Sequence, residues 1–201
     1  MARTTTGATS ATLADPTRSF ATAAAWAAWL ARHHARSSGL WLKLAKQGSG
    51  TASVTYPEAV TVALAWGWID GQKRGFDATF WLQRFTPRKP KSLWSQINRD
   101  KALALIAAGE MQAPGLAEVE RAQADGRWDA AYAGARTITV PDDLTAALAA
   151  NPRAAAAFAA LGAANRYAVL FRVHTAKRAE TRARRVAQLV EKLARGEPPH
   201  A

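Results

Sequence analysis

The chain has 201 residues, enough for one domain of ordinary size or one domain with a helical appendage. It contains no Cys, which excludes disulfides, thiolate metal sites, iron–sulfur clusters and Cys nucleophiles. Lys and Arg total 27 against 15 Asp and Glu, and the net charge of +12 favours polyanions or anionic ligands as partners.

Residues 1–18 are rich in Ser, Thr and Ala and lack the apolar core of a signal peptide, so they read as a disordered leader. No run is long enough to span a bilayer, and the expected location is cytoplasmic. From Phe20 to Arg36 the spacing of Phe20, Trp26, Trp29 and Leu30 predicts a helix, stopped by Ser37-Ser38-Gly39. The short bulky run Leu40–Lys46, bounded by Gly39 and Gly48, predicts a strand. Beyond a Gly/Ser loop, Thr55 caps a helix with Pro57 and Glu58 in its first turn, ending near Gly67. That helix is apolar nearly all round and should be central.

Trp68-Ile69-Asp70-Gly71 then reads as an extended pair and a turn, and Thr79–Thr86 as a second strand that Pro87 and Pro90 keep from extending. Ser92 is placed to cap a helix containing Trp94 and Ile97. Further helices are expected over Arg99–Ala108 and Leu116–Ala124. The last third is helical throughout. One helix opens at Pro141-Asp142-Asp143, one at Asn151-Pro152, one is capped by Asn165, and one begins at Thr181. The last carries Val186, Leu189, Val190 and Leu193 at i, i+3, i+4, i+7 spacing. The whole predicts an α+β fold: a small mixed domain over 19–135 with a short β-sheet packed by helices, then a helical module over 139–196.

All eight Trp lie between Trp26 and Trp128. Trp is costly to expose, and its indole N–H wants a partner when buried, so such a cluster marks either an aromatic core or a ligand-lining wall. Their concentration with Gln and Arg between Trp66 and Asn98 makes that stretch the candidate site. Its proposed ligand-facing residues are Trp66, Trp68, Asp70, Gln72, Trp81, Gln83, Arg84 and Trp94. Asp70 sits before a Gly, where it either stabilises a turn or serves as a buried acid or base. Strand alternation puts Trp81, Gln83 and Phe85 on one face and Leu82, Arg84 and Thr86 on the other. Arg88, Lys89 and Lys91 crowd the loop before Ser92, a candidate anion site at a helix N-terminus or a solvated basic loop.

No Gly-rich segment has phosphate-cradling spacing, and neither metal nor cofactor is expected. His33 and His34 are adjacent, so on a helix they point about 100° apart and cannot share a metal. His174 stands alone.

Trp66-Gly67-Trp68-Ile69-Asp70-Gly71-Gln72, Gln83-Arg84-Phe85-Thr86-Pro87-Arg88 and Trp94-Ser95-Gln96-Ile97-Asn98 resemble hallmark segments of the bacterial YdeI/OmpD-associated family, also labelled bacteriocin-protection. Val140-Pro141-Asp142-Asp143-Leu144, Asn165-Arg166-Tyr167 and the basic run Ala176–Arg185 resemble its small helical module, and the likeness extends from about Phe20 to Gly196. It implies a protection or stress role and supplies no catalytic residues. Three readings follow. One is a small-molecule-binding or protection protein with an aromatic pocket. Another is a nucleic-acid-binding module using basic clusters at Arg84–Lys91 and Lys177–Arg185. The third is an enzyme with Asp70 as general acid or base.

Overall fold

The computed structural model describes residues 15–198. The leader expected over 1–18 falls mostly outside them, yet its last residues are structured: Thr17–Ser19 form a strand, β1. The fold is α+β, with eight helices and a four-stranded mixed sheet among the described residues. None of those helices is long and apolar enough to cross a membrane. Contacts divide the chain into two compact units, the first containing 15–90 and Ala104–Glu120, the second Lys91–Leu103 and 121–198.

In the first unit the sheet order is β1-β2-β4-β3, with β2 Leu40–Ala45, β3 Trp68–Gly75 and β4 Phe80–Pro87. β1 runs parallel to β2, and the other pairs are antiparallel. β2 obeys strict alternation, with Leu40, Leu42 and Leu44 buried and Trp41, Lys43 and Ala45 half-buried. The buried face takes two helices, α1 (Ala23–His33) and α2 (Tyr56–Ala65). Thr22 caps α1 by accepting from the Ala25 N–H at 3.2 Å. Thr55 and Glu58 form a capping box on α2, the Glu58 carboxylate accepting the Thr55 N–H at 2.8 Å. Those bonds from Thr55 hold the Glu58 carboxyl below its ordinary range.

Aromatic rings fill the space between helices and sheet. Trp26 and Trp29 stack at 5.4 Å, and both meet Trp68 edge-on, at 6.3 and 5.9 Å. Phe85 of β4 lies 5.7 Å from Trp26, whose indole donates to the Ala59 carbonyl. The stretch Trp68–Gly71, expected as an extended pair and turn, is instead the first half of β3. Its entry is set by Gly67 at φ 73°, whose missing Cβ would stand 2.8 Å from the Pro114 carbonyl oxygen.

In the second unit, Trp94 packs edge-on against Trp128 at 4.9 Å, and main-chain bonds link Trp94 and Gln96 to Tyr132. This explains why the contacts do not divide the chain near residue 137: the segment after Lys91 is tied to the one around Tyr132. α3 is a single helix, Gln96–Ala107, in place of the two expected on either side of Arg99. Ser92 is not its cap. Ser95 performs that role, its hydroxyl accepting the Asn98 N–H at 3.1 Å, and Trp94 precedes the helix. α4 spans Ala113–Ala124.

α5 (Asp142–Ala149), α6 (Pro152–Ala159), α7 (Ala163–His174) and α8 (Ala179–Ala194) build one core from Leu144, Leu148, Phe158, Leu170, Val186 and Leu193, among others. Asn151 caps α6 as expected, but Gly162 rather than Asn165 precedes α7, and α8 starts two residues ahead of Thr181. Arg182 of α8 bonds both oxygens of Asp143 in the first turn of α5, at 2.5 and 2.9 Å.

Gly67→Ala should lower stability by about 2 kcal/mol or more, because left-handed strain adds to the clash with Pro114. A drop in the urea midpoint at unchanged slope would show it. Asp143 gives a pH-dependent outcome. Its hydrogen bond from Arg182 holds its carboxyl below the ordinary value of 3.8, so its contribution is complete above that pH. That contribution is lost as pH falls through the folded-state value. Asp143→Asn should therefore flatten the acid limb of a stability–pH curve below pH 3.8, and an unchanged limb would refute the role.

Candidate functional site

The site is built on β3 and β4, and its geometry follows from one irregularity. Asp70 pairs with Phe85, but Lys73 pairs with Gln83, so Gly71 and Gln72 together oppose Arg84 alone. This is a β-bulge. In an unbroken strand Asp70 and Lys73, three apart, would point to opposite faces. The extra residue corrects the parity, and both end on the face that carries Trp81, Gln83 and Phe85.

Gln83 holds the bulge closed. Its side chain is 3% exposed, and its amide nitrogen donates to the carbonyls of Gly71 at 2.9 Å and Gln72 at 3.2 Å. The sequence expectation made Gln83 a ligand-facing group, but its donors are spent on the backbone. At the far end of the hairpin, Asp77 accepts the N–H groups of Thr79 and Phe80, at 2.8 and 2.7 Å. The Phe80 amide is the main reason its carboxyl titrates below the usual range.

Trp81 is half-buried. Tyr56, at the start of α2, places its ring 5.9 Å away, and the Lys73 ammonium stands 4.4 Å over the indole. The Tyr56 hydroxyl donates to Asp70 at 2.7 Å. Asp70 is partly exposed rather than sealed as a buried base would be, and what it does in the structure is orient that tyrosine. Trp81, Tyr56, Asp70 and Lys73 thus make an open aromatic shelf with one carboxylate and one ammonium. Tyr56 and Lys73 carried no sequence signal of their own: one is a helix-start residue, the other a cation beyond a presumed turn.

The other expected site residues scatter. Trp68 is 1% exposed and belongs to the core, its indole donating to the His34 carbonyl at 3.3 Å. Trp66 closes α2 and lies against the His34 ring at 4.9 Å. Gln72 is exposed, with its side-chain oxygen 3.4 Å from an Arg84 nitrogen. Arg84 forms an ion pair with Asp15 through Nε at 2.7 Å and Nη2 at 2.5 Å, and Ser38 donates to the other carboxylate oxygen. Trp94 is 2% exposed and lies in the second unit.

The expected anion site also differs. Arg88 is 5% exposed, and its N–H donates to the Gly67 carbonyl. Lys89 and Lys91 are exposed, but the helix meant to attract the anion begins four residues after Ser92.

The opposite face of the sheet holds a second aromatic and cationic surface that sequence reading did not single out. Arg74 reaches across β4 to stand 4.1 Å over Trp41, while Lys43 lies 4.2 Å over Phe76. Leu82 is the residue between them in the pairing and is fully buried, though Phe76 is 49% exposed.

Residues 18–118, half of the chain, match the family described as Domain of unknown function (DUF8412). The chain belongs to that family, and both faces just described lie inside the match. Its C-terminal module, residues 137–196, matches the family described as Bacteriocin-protection, YdeI or OmpD-Associated, as the Val140–Leu144, Asn165–Tyr167 and Ala176–Arg185 motifs implied. No curated protein and no solved structure matches the chain significantly.

Replacing Gln83 by Leu should cost about 1–3 kcal/mol, since two bulge carbonyls lose a buried donor. Urea unfolding checks this. A variant as stable as the parent would show that the bulge does not depend on the amide.

Proposed function

We propose that this protein binds a small aromatic anion on the Trp81 shelf. The observation that carries the reading is the state of Trp81: partly open to solvent, bordered by Tyr56, with Lys73 over its ring. An exposed cation–π contact is worth only about 0.5–1 kcal/mol. A planar ligand can therefore displace Lys73 from the ring face, stack there itself, and pair its negative charge with the displaced ammonium. Asp70 keeps Tyr56 upright and disfavours a ligand whose charge falls on that side. The description of the C-terminal family as bacteriocin-protection supports a role in sequestering a harmful compound.

The test is a tryptophan-fluorescence titration with simple aromatic carboxylates. Saturable quenching is expected. Trp81→Ala should abolish it, and Lys73→Ala should weaken binding of carboxylates by about fivefold while sparing their neutral amides. Quenching that survives Trp81→Ala would overturn the proposal.

A second reading rests on the opposite face. Trp41 under Arg74, and Phe76 under Lys43, combine ring faces with cations as single-stranded nucleic-acid platforms do. It calls for oligonucleotide binding that falls steeply with salt and fails in Trp41→Ala.

A further inference from the structure

α7 and α8 enclose a groove of about 350 Å³, at the small end of ligand pockets. It lies within the second unit, away from every residue of the Trp81 shelf in the chain. Its floor is apolar: Val169, Val173 and Leu189 line it, and each is less than a tenth exposed. Its rim is cationic, with Arg172 on α7, Arg185 and Lys192 two turns apart on α8, and Arg195 just beyond it.

Those cations are not equivalent. Arg195 is neutralised where it stands, bonding Glu191 and Glu197 at 2.6 Å each. Arg185 donates one nitrogen to the Arg172 carbonyl at 2.5 Å, which anchors its guanidinium across the last turn of α7. A guanidinium has five N–H donors, so that bond orients the group without exhausting it. Glu191 is the one carboxylate lining the groove, and it is committed to Arg195. The positive surplus therefore sits with Arg172 and Arg185, above a floor with no polar group of its own.

From this arrangement we infer that the α7–α8 groove is a binding site for a small amphipathic anion, a carboxylate with an attached hydrocarbon segment. The hydrocarbon covers Val169, Val173 and Leu189, and the carboxylate meets the guanidinium of Arg185, where a planar fork matches a planar anion. A bare inorganic anion would leave the apolar floor wet. A neutral apolar molecule would leave the cations without a counter-charge. Both halves of the groove are needed, and their combination selects the ligand class.

The experiment is a titration of the isotope-labelled full chain with sodium octanoate below its micelle concentration, read by amide resonance shifts. Matched titrations use sodium acetate and 1-octanol. Octanoate should move the resonances of Val169–Val173 and Arg185–Arg195 saturably, with acetate and octanol each at least tenfold weaker. Arg185→Ala should weaken octanoate about tenfold. Gln188→Trp, a change at an exposed wall position, should block the groove without altering charge. Equal shifts from octanol, shifts centred elsewhere, or octanoate binding unchanged in both variants would overturn the inference. So would binding to vesicles of phosphatidylglycerol and phosphatidylcholine without any response to free octanoate, which would mean a membrane-surface contact instead.

Discussion

The amide of Gln83, hidden within the sheet, donates to two successive carbonyls of the neighbouring strand, and the character of both sheet faces depends on that pair of bonds. A strand has period two, so a single inserted residue exchanges the faces of everything beyond it. Ahead of the bulge, Trp68 and Asp70 face the helices; after it, Lys73 and Gly75 do, and Arg74 is turned to the opposite side. If the same residues ran in regular register without the bulge, Lys73 would join the outer surface and Arg74 would be driven toward Trp81. The cation over each indole is thus chosen by backbone register. An Asn in place of Gln83 would have the same chemistry but one methylene less reach, and the carbonyls would lose their donor.

The same sheet shows why Trp abundance alone does not locate a binding site. Trp26, Trp29 and Trp68 make one continuous aromatic packing, each contacting the other two, and they are the bulk that compensates for small alanines in α1 and α2. Burying a large side chain contributes about 1.5–3 kcal/mol, so such rings serve stability first. Trp41 and Trp81 differ because each carries a cation on a face instead of another buried indole. The distinction between core and surface tryptophans lies in strand register.

What could be read from sequence was whatever local chemistry decides. β2 was legible because Leu40–Ala45 alternates between two Gly boundaries, and α2 because Thr55, Pro57 and Glu58 are start signals within one turn. The helical module was legible from the Asn151 cap and from the stripe along α8. β3 was not, because Trp68–Gly75 contains two Gly and an Asp-Gly pair, the composition of a turn. Only pairing with β4 makes that segment a strand, and no local rule announces the pairing. Ser92 and Ser95 are equally good caps by composition; Ser95 takes the role because Trp94, just before it, is anchored on Trp128 and Tyr132. Asp15 was assigned to a leader, although it is the counter-ion that Arg84 requires. Within the Trp66–Asn98 window the side chains have different roles. Gln83, Arg84, Trp68 and Trp94 within it hold the fold together, and Tyr56, from outside it, completes the shelf.

The excess of positive charge resolves in the same way, by asking what each cation faces. Arg84, Arg127, Arg182 and Arg195 are engaged with carboxylates from Asp15, Asp125, Asp143 and the pair Glu191 and Glu197. Arg127 goes further, donating from a buried position to the Ser92 carbonyl and so pinning the loop before α3. These pairs add nothing to the net charge and present little field beyond their partners, since opposite charges in contact cancel over a few ångströms. Lys43, Lys73, Arg74 and Arg166 instead lie over aromatic rings, where the interaction is weak. The net charge of +12 is therefore carried by cations outside these pairs. The chain behaves electrostatically as separate small cationic surfaces, each with apolar or aromatic groups at its base. A cation beside an apolar or aromatic surface occurs on the sheet and again between α7 and α8, where Arg185 is held by the Arg172 carbonyl.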